Sequence, residues 1–130
     1  MNARDHLSET RSRLSTSFIV AEITVMAEIE YQFSGYFRAR LRLTNNDTVE
    51  LAEYFVIEEA RLNVRRYRYQ WMNESETVLK KRWDNAGHFP DLPGFPDHVH
   101  EGPEDSVRPG VALSIVDLID LLEQEFATMA

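Results

Sequence analysis

Three of the four histidines, His88, His98 and His100, fall within 13 residues of one another, beside Asp84, Asp91 and Asp97. Imidazole titrates near neutrality, so it is the commonest general acid–base group and a common metal ligand. Side chains alternate along an extended chain, so His98 and His100 would share a face and point at one ion or one phosphate. Two chemistries follow: proton transfer at a phosphate, or coordination of a divalent metal. A third use is structural, with the rings bonding backbone carbonyls to pin the segment. His-x-His without any cysteine is a weak metal signal, so no cofactor is predicted and a divalent metal stays an alternative. Asp84 and Asn85 also suit Asx turns. No Gly-rich phosphate loop, GxSxG elbow or HExxH motif is present. His6 reads as a surface residue.

A second constellation is basic. Arg38, Arg40 and Arg42 share a parity, as do Arg66 and Arg68, and Lys80 and Arg82. If their strands pair on that face, a cationic stripe crosses the sheet. Tyr67, Tyr69, Trp71 and Trp83 lie at the opposite parity. Arginine with aromatic rings suits phosphate backbones and stacked bases. The other reading is a solvated face neutralised across strands by Glu50, Glu53 and Glu58. Residues 36–83 carry 10 of the 14 Lys and Arg against 7 of the 22 acids, or +3, inside a chain of net charge −8. The overall sign argues against passive polyanion binding. The acidic remainder would exclude non-specific polyanions or attract a basic partner.

The elements that must position these residues follow from periodicity. Residues 3–15 read as a helix, with Ala3, Leu7, Leu14 and Phe18 on one thin stripe. From Ile19 the period becomes two, with Ile23, Val25, Ala27, Ile29 and Phe33 at odd positions. That run is long for one strand, so a bend or bulge is expected within it. Ser34-Gly35 and Asn45-Asn46-Asp47 are turns, and further strands are predicted over Thr48–Glu58, Leu62–Met72 and Thr77–Trp83. Short connections imply an antiparallel meander of about five strands over residues 19–83. Residues 84–110 hold all five prolines, which predicts a long Pro/His-rich loop and no interior strand. Ser114 and Asp117 resemble a capping box for a last helix over residues 114–127. The fold class is α+β, in a single domain of 130 residues. There is no cysteine, no apolar run of membrane-spanning length and no signal-peptide h-region. The chain reads as cytoplasmic, and nothing in it specifies an oligomeric state.

The stretches Tyr67-Arg68-Tyr69-Gln70-Trp71, Lys81-Arg82-Trp83-Asp84-Asn85-Ala86 and His88 through His100 resemble the TumE family of bacterial and archaeal toxin–antitoxin proteins. The matching positions are Arg82, Asp84, Asn85, His88, Pro90, Phe95, Pro96, His98 and His100. Gly87, Phe89, Asp91, Asp97 and Val99 depart from the pattern. The resemblance implies a toxin paired with a cognate antitoxin. On that basis the first reading is a toxin acting on RNA. His98 and His100 would be its acid–base pair, His88 a third candidate, and Asp84 an orienting carboxylate. Arg82, Arg68, Asn85 and Trp83 would bind substrate. The alternatives are a non-enzymatic protein- or RNA-binding module, and a metal-binding hydrolase using His98, His100 and an aspartate.

Overall fold

A computed structural model describes residues 1–87, 89–102 and 106–129. Asn2 caps the first helix, α1 (Ala3–Thr16), through a reciprocal box with Asp5. Seven strands follow: β1 (Val20–Glu30), β2 (Ser34–Leu43), β3 (Thr48–Glu58), β4 (Arg61–Met72), β5 (Leu79–Asp84), β6 (His98–Glu101) and β7 (Ser106–Pro109). Helix α2 (Ile115–Met129) closes the chain, and Ser114 and Asp117 form its predicted box. The strands lie in sequence order in one antiparallel sheet, confirming the α+β meander.

The expected alternation holds in β2, β3 and the second half of β4. Phe37, Leu41, Leu51, Phe55, Tyr69 and Trp71 are buried with Leu118, Ile119 and Leu122 of α2 in one core. Arg38, Arg42, Glu50 and Arg68 lie on the other face. That second face is open, and it carries the site.

Three expectations are corrected. First, the stretch read as a loop contains β6 and β7, and β6 is an interior strand. Pro90, Pro93 and Pro96 precede β6, while Pro109 ends the edge strand β7. The missing N–H groups therefore never interrupt the interior ladder. Second, β1 is largely exposed instead of half-buried. Irregularities between Val20 and Glu22 and between Val25 and Ala27 supply the expected bulging but reset the parity. Ile23 and Val25 pair with the buried Leu41 and Ala39, whereas Ala27 and Ile29 pair with the open-face Arg38 and Tyr36.

Third, His6 is 3% exposed and buried. It lies on the same stripe of α1 as Ala3, Leu7, Thr10 and Leu14, a wider face than the apolar residues alone define. Its Nε2 is 2.5 Å from Oε1 of Glu53, which is itself buried on β3. The backbone N–H of Ile115 donates to Glu53 Oε2 over 2.7 Å. The Tyr69 hydroxyl donates to the Leu113 carbonyl over 2.8 Å and lies 3.4 Å from the same carboxylate. Burial, and then the Glu53 charge, push the Tyr69 phenol well above its ordinary value. At the surface, Arg13 of α1 bonds Asp120 and Glu123 of α2. The hydrogen bond from Arg13, more than that from Ser17, holds the Glu123 carboxyl below its ordinary value.

Removing one partner of a buried pair strands the other. Glu53→Gln and His6→Ala are each expected to cost about 3–5 kcal/mol in urea unfolding. Glu123 sets a pH window. A carboxyl with a depressed folded pKa contributes stability above its unfolded value, and loses it as pH falls through the folded value. Arg13→Ala should therefore cost about 1 kcal/mol near neutrality. The difference from wild type should shrink as the pH is taken below 4.5, the ordinary value for this group. A constant difference down the acid limb would exclude this coupling.

Candidate active site

Strand β5 turns Trp83 into the core and so presents Arg82 and Asp84 to the open face. Strand β6 then pairs His98 opposite Asp84 and His100 opposite Arg82. Four of the sequence-predicted residues thus meet as two adjacent cross-strand pairs. Asp84, His98 and His100 are 6%, 1% and 4% exposed.

The carboxylate is the centre. Asp84 Oδ1 accepts the Ala86 N–H over 3.0 Å, the expected Asx turn. Arg82 Nε donates to Oδ2 over 3.3 Å. His98 Nε2 lies 2.8 Å from Oδ1, and His100 Nε2 lies 3.7 Å from Oδ2. The Pro96 carbonyl is 2.9 Å from His98 Nδ1. A carbonyl only accepts, so Nδ1 carries a hydrogen. The other ring nitrogen, Nε2, is buried and has no well-formed hydrogen bond despite its short approach to Asp84. The two imidazoles meet edge to face at 4.8 Å between centroids, and the Phe89 ring lies 5.5 Å and 6.1 Å from them. The three donor atoms of Asp84, His98 and His100 lie within 4.8 Å of one another, a two-His, one-carboxylate set that could hold a divalent ion.

Several neighbours fix β6 in place. Tyr67 donates its hydroxyl to Asp97 Oδ1 over 2.8 Å. Burial, then this carboxylate, push the phenol above its ordinary value and keep it a donor. Gly110 packs its backbone on His98, where an added Cβ would come within 3.2 Å of three His98 backbone atoms. Asn85 reaches back to β4, accepting the Tyr67 N–H over 3.1 Å and donating to the Arg65 carbonyl over 2.9 Å. The structure thus places Asn85 in backbone bonding at the strand end. Trp83 is 5% exposed in the core on the opposite face, so it does not join the cluster. His88 lies outside the described residues.

The cationic stripe is present on the open face. One row runs Arg38, Ala52, Arg68, Asp84, His98, and the next runs Arg40, Glu50, Gln70, Arg82, His100. A cleft of about 690 Å³ is lined by Arg65, Arg66, Arg68, Arg82, Asp84 and His100, among others. Arg65 is the residue that sequence reasoning missed. It is the extra residue where the β3–β4 register shifts, and strict alternation gives no signal for it. Lys80 leaves the stripe, bonding Asp47 over 2.5 Å and lying 5.2 Å over the Trp71 ring. Of the acids expected to neutralise the face, only Glu50 lies centrally on it. Glu53 is buried on the other side, and Glu58 pairs with Arg65. Tyr67, Tyr69 and Trp71 are core residues, at most 3% exposed, and offer no stacking platform.

These features define a one-sheet α+β protein with a buried Asp–His–His cluster at the edge of an arginine-lined cleft. The chain belongs to the Toxin TumE family, whose sequence model matches residues 9–128. No curated protein and no solved structure matches it. Family membership makes it the toxin component of a toxin–antitoxin system and implies an antitoxin partner. Among the described residues, no helix is long and apolar enough to cross a membrane.

Asn85→Ala removes two hydrogen bonds to backbone and should lower stability by about 1–3 kcal/mol. Chemical unfolding tests the magnitude.

Proposed function

We propose that this toxin binds RNA in the cytoplasm across its open sheet face and cleaves it at the cleft beside β5 and β6. One observation carries the reading: Asp84 and His100 line a cleft walled by Arg65, Arg66, Arg68 and Arg82, and His98 pairs opposite Asp84 on β6. Cleavage of RNA needs a base for the 2′-hydroxyl, an acid for the leaving 5′-oxygen and cations for the phosphate. His100, the member of the pair that lines the cleft, takes the 2′-hydroxyl proton as that oxygen bonds phosphorus. It then gives that proton to the 5′-oxygen as the second P–O bond breaks, leaving a 2′,3′-cyclic phosphate, while the buried His98, paired opposite Asp84, steadies His100 from the next row. Asp84 holds the rings in register, and Arg82 and Arg68 offset the charge that develops on the phosphate.

His98→Ala with His100→Ala should abolish growth arrest and lower RNA cleavage by about 10²–10⁴-fold in a protein with wild-type circular dichroism. Full toxicity in that folded pair would remove the catalytic role and favour a binding module. Arg68→Ala should weaken RNA binding and reduce the slope of log affinity against log salt by about one.

A second reading has its own support. With the Nδ1 hydrogen of His98 given to Pro96, a neutral ring turns the Nε2 lone pair at Asp84 Oδ1, 2.8 Å away. Two acceptors at that distance repel unless a proton or a cation lies between them. A divalent ion held by Asp84, His98 and His100 would relieve the contact, and the Pro96 bond is the kind that orients a metal-bound histidine. Such an ion would polarise the phosphate or activate water. Stoichiometric metal in the purified protein, with cleavage lost in chelator and restored by the ion, would favour this reading. Cleavage unaffected by chelator would favour the imidazole chemistry.

A further inference from the structure

We propose that a second depression on the open face is a base-reading subsite, and that Glu50 makes it select guanine. The inference rests on the RNA reading above and deepens it. The depression is about 310 Å³ and is lined by Tyr36, Arg38, Glu50, Ala52, Arg68 and Gln70, among others. Its floor is set by register. Ala52 sits between Arg38 and Arg68 in one cross-strand row, so a methyl group lies low between two guanidinium walls. A planar ring fits such a slot, and arginine planes and tyrosine rings both stack on bases.

Arg68 also lines the first cleft, so the two depressions adjoin. Ala52 on β3 and Asp84 on β5 lie two strand spacings apart, about 10 Å. That is on the scale of a nucleotide, from a base to the phosphate beside it. An RNA strand with its scissile phosphate at Arg82 and Arg68 would place a neighbouring base over Ala52.

The edge of the slot carries a pattern. Glu50 and Gln70 face each other across β3 and β4. The direct cross-strand cation for Glu50 is Arg40, but the Arg40 guanidinium bonds Glu76 instead. Among the described residues, Glu50 has no ion pair. Gln70 accepts from Arg68 through Oε1 over 3.2 Å, which leaves its amide hydrogens to donate. The slot therefore offers a carboxylate acceptor beside an amide donor. Guanine presents two adjacent N–H donors beside O6, the matching complement. Uracil presents one donor flanked by two carbonyls, which the carboxylate repels. Adenine and cytosine each present a single donor group.

The experiment uses the full-length protein and short fluorescent oligonucleotides with 2′-O-methyl sugars, which lack the nucleophile for cleavage. Anisotropy at fixed salt compares an all-uridine probe with probes carrying one central guanosine, adenosine or cytidine. The guanosine probe should bind about tenfold tighter than the all-uridine probe, as a good bidentate contact to a base gives. Glu50→Gln should bring the two within about twofold without weakening all-uridine binding. Glu50 is exposed, so the variant should keep the wild-type circular dichroism spectrum. Binding of all probes without preference would overturn the subsite and leave the RNA reading standing. So would a preference for adenosine or cytidine, or a guanosine preference that survives Glu50→Gln. Failure of every probe to bind would overturn both.

Discussion

The carboxylate of Glu53 is the contact on which the architecture turns. A buried charge is costly unless hydrogen-bond donors surround it. Here the donors come from separate elements: His6 on α1 and the first backbone N–H of α2 at Ile115, with the Tyr69 hydroxyl of β4 close by. The N-terminus of α2 also brings the positive end of its helix dipole to the carboxylate. One side chain thus fixes both helices against the same face of the sheet. Apolar packing alone would hold them there, but with less demand on their position. By committing both helices to one face, this contact leaves the other bare, and every polar group of the candidate site stands on the bare face.

The second constraint lies at the far end of the sheet. Asp84, His98 and His100 are nearly as buried as the core, although they lie on the open face. The Phe89 ring lies edge-on against both imidazoles, and the Pro96 carbonyl takes the Nδ1 side of His98. Burial strengthens the electrostatic coupling within the cluster and raises the cost of leaving any member unmatched. The unmatched Nε2 of His98 is therefore a demand for a proton or a cation at that point. An imidazolium acid meets it with a proton, and a divalent ion meets it with charge. Because the residues sit on paired strands, their separation is set by backbone register, which suits a site whose geometry must be held closely.

Much of this is legible in the sequence. A strict period of two in β2, β3 and the second half of β4 gives the strands, their buried faces and the parity of Arg38, Arg40, Arg42 and Arg68. The pairing of His98 with His100 on one face also follows from alternation alone. The failures have physical causes. Strand β6 is four residues long and its apolar content is Val99 alone, so no pattern distinguishes it from the proline-rich chain before it. Its strand character comes from pairing with β5 and β7 on either side. His6 reads as a surface residue because hydrophobic periodicity cannot see a polar side chain that is buried with a partner 47 positions away. Composition points Trp83 at a ligand, yet its parity with Tyr69 and Trp71 already places it with the core rings. The bulges in β1 and β4 shift faces without any change in residue type that would announce them.

Charge distribution links the two faces. The net charge of −8 conceals a sorting in which Asp117, Asp120, Glu123 and Glu125 lie on α2 while the open face holds arginines from β2, β4 and β5. Long-range repulsion from the acidic side would keep a polyanion from adhering anywhere but the arginine face. At contact range, within a Debye length of about 8 Å at physiological salt, the local arginines dominate and the distant acids are screened. Such a molecule would meet nucleic acid in one orientation, with the strand already on the face that carries Asp84, His98 and His100. A uniformly basic protein would bind more tightly overall, but most of its encounters would be unproductive. The acidic composition that argues against passive polyanion binding is therefore compatible with RNA binding confined to one face.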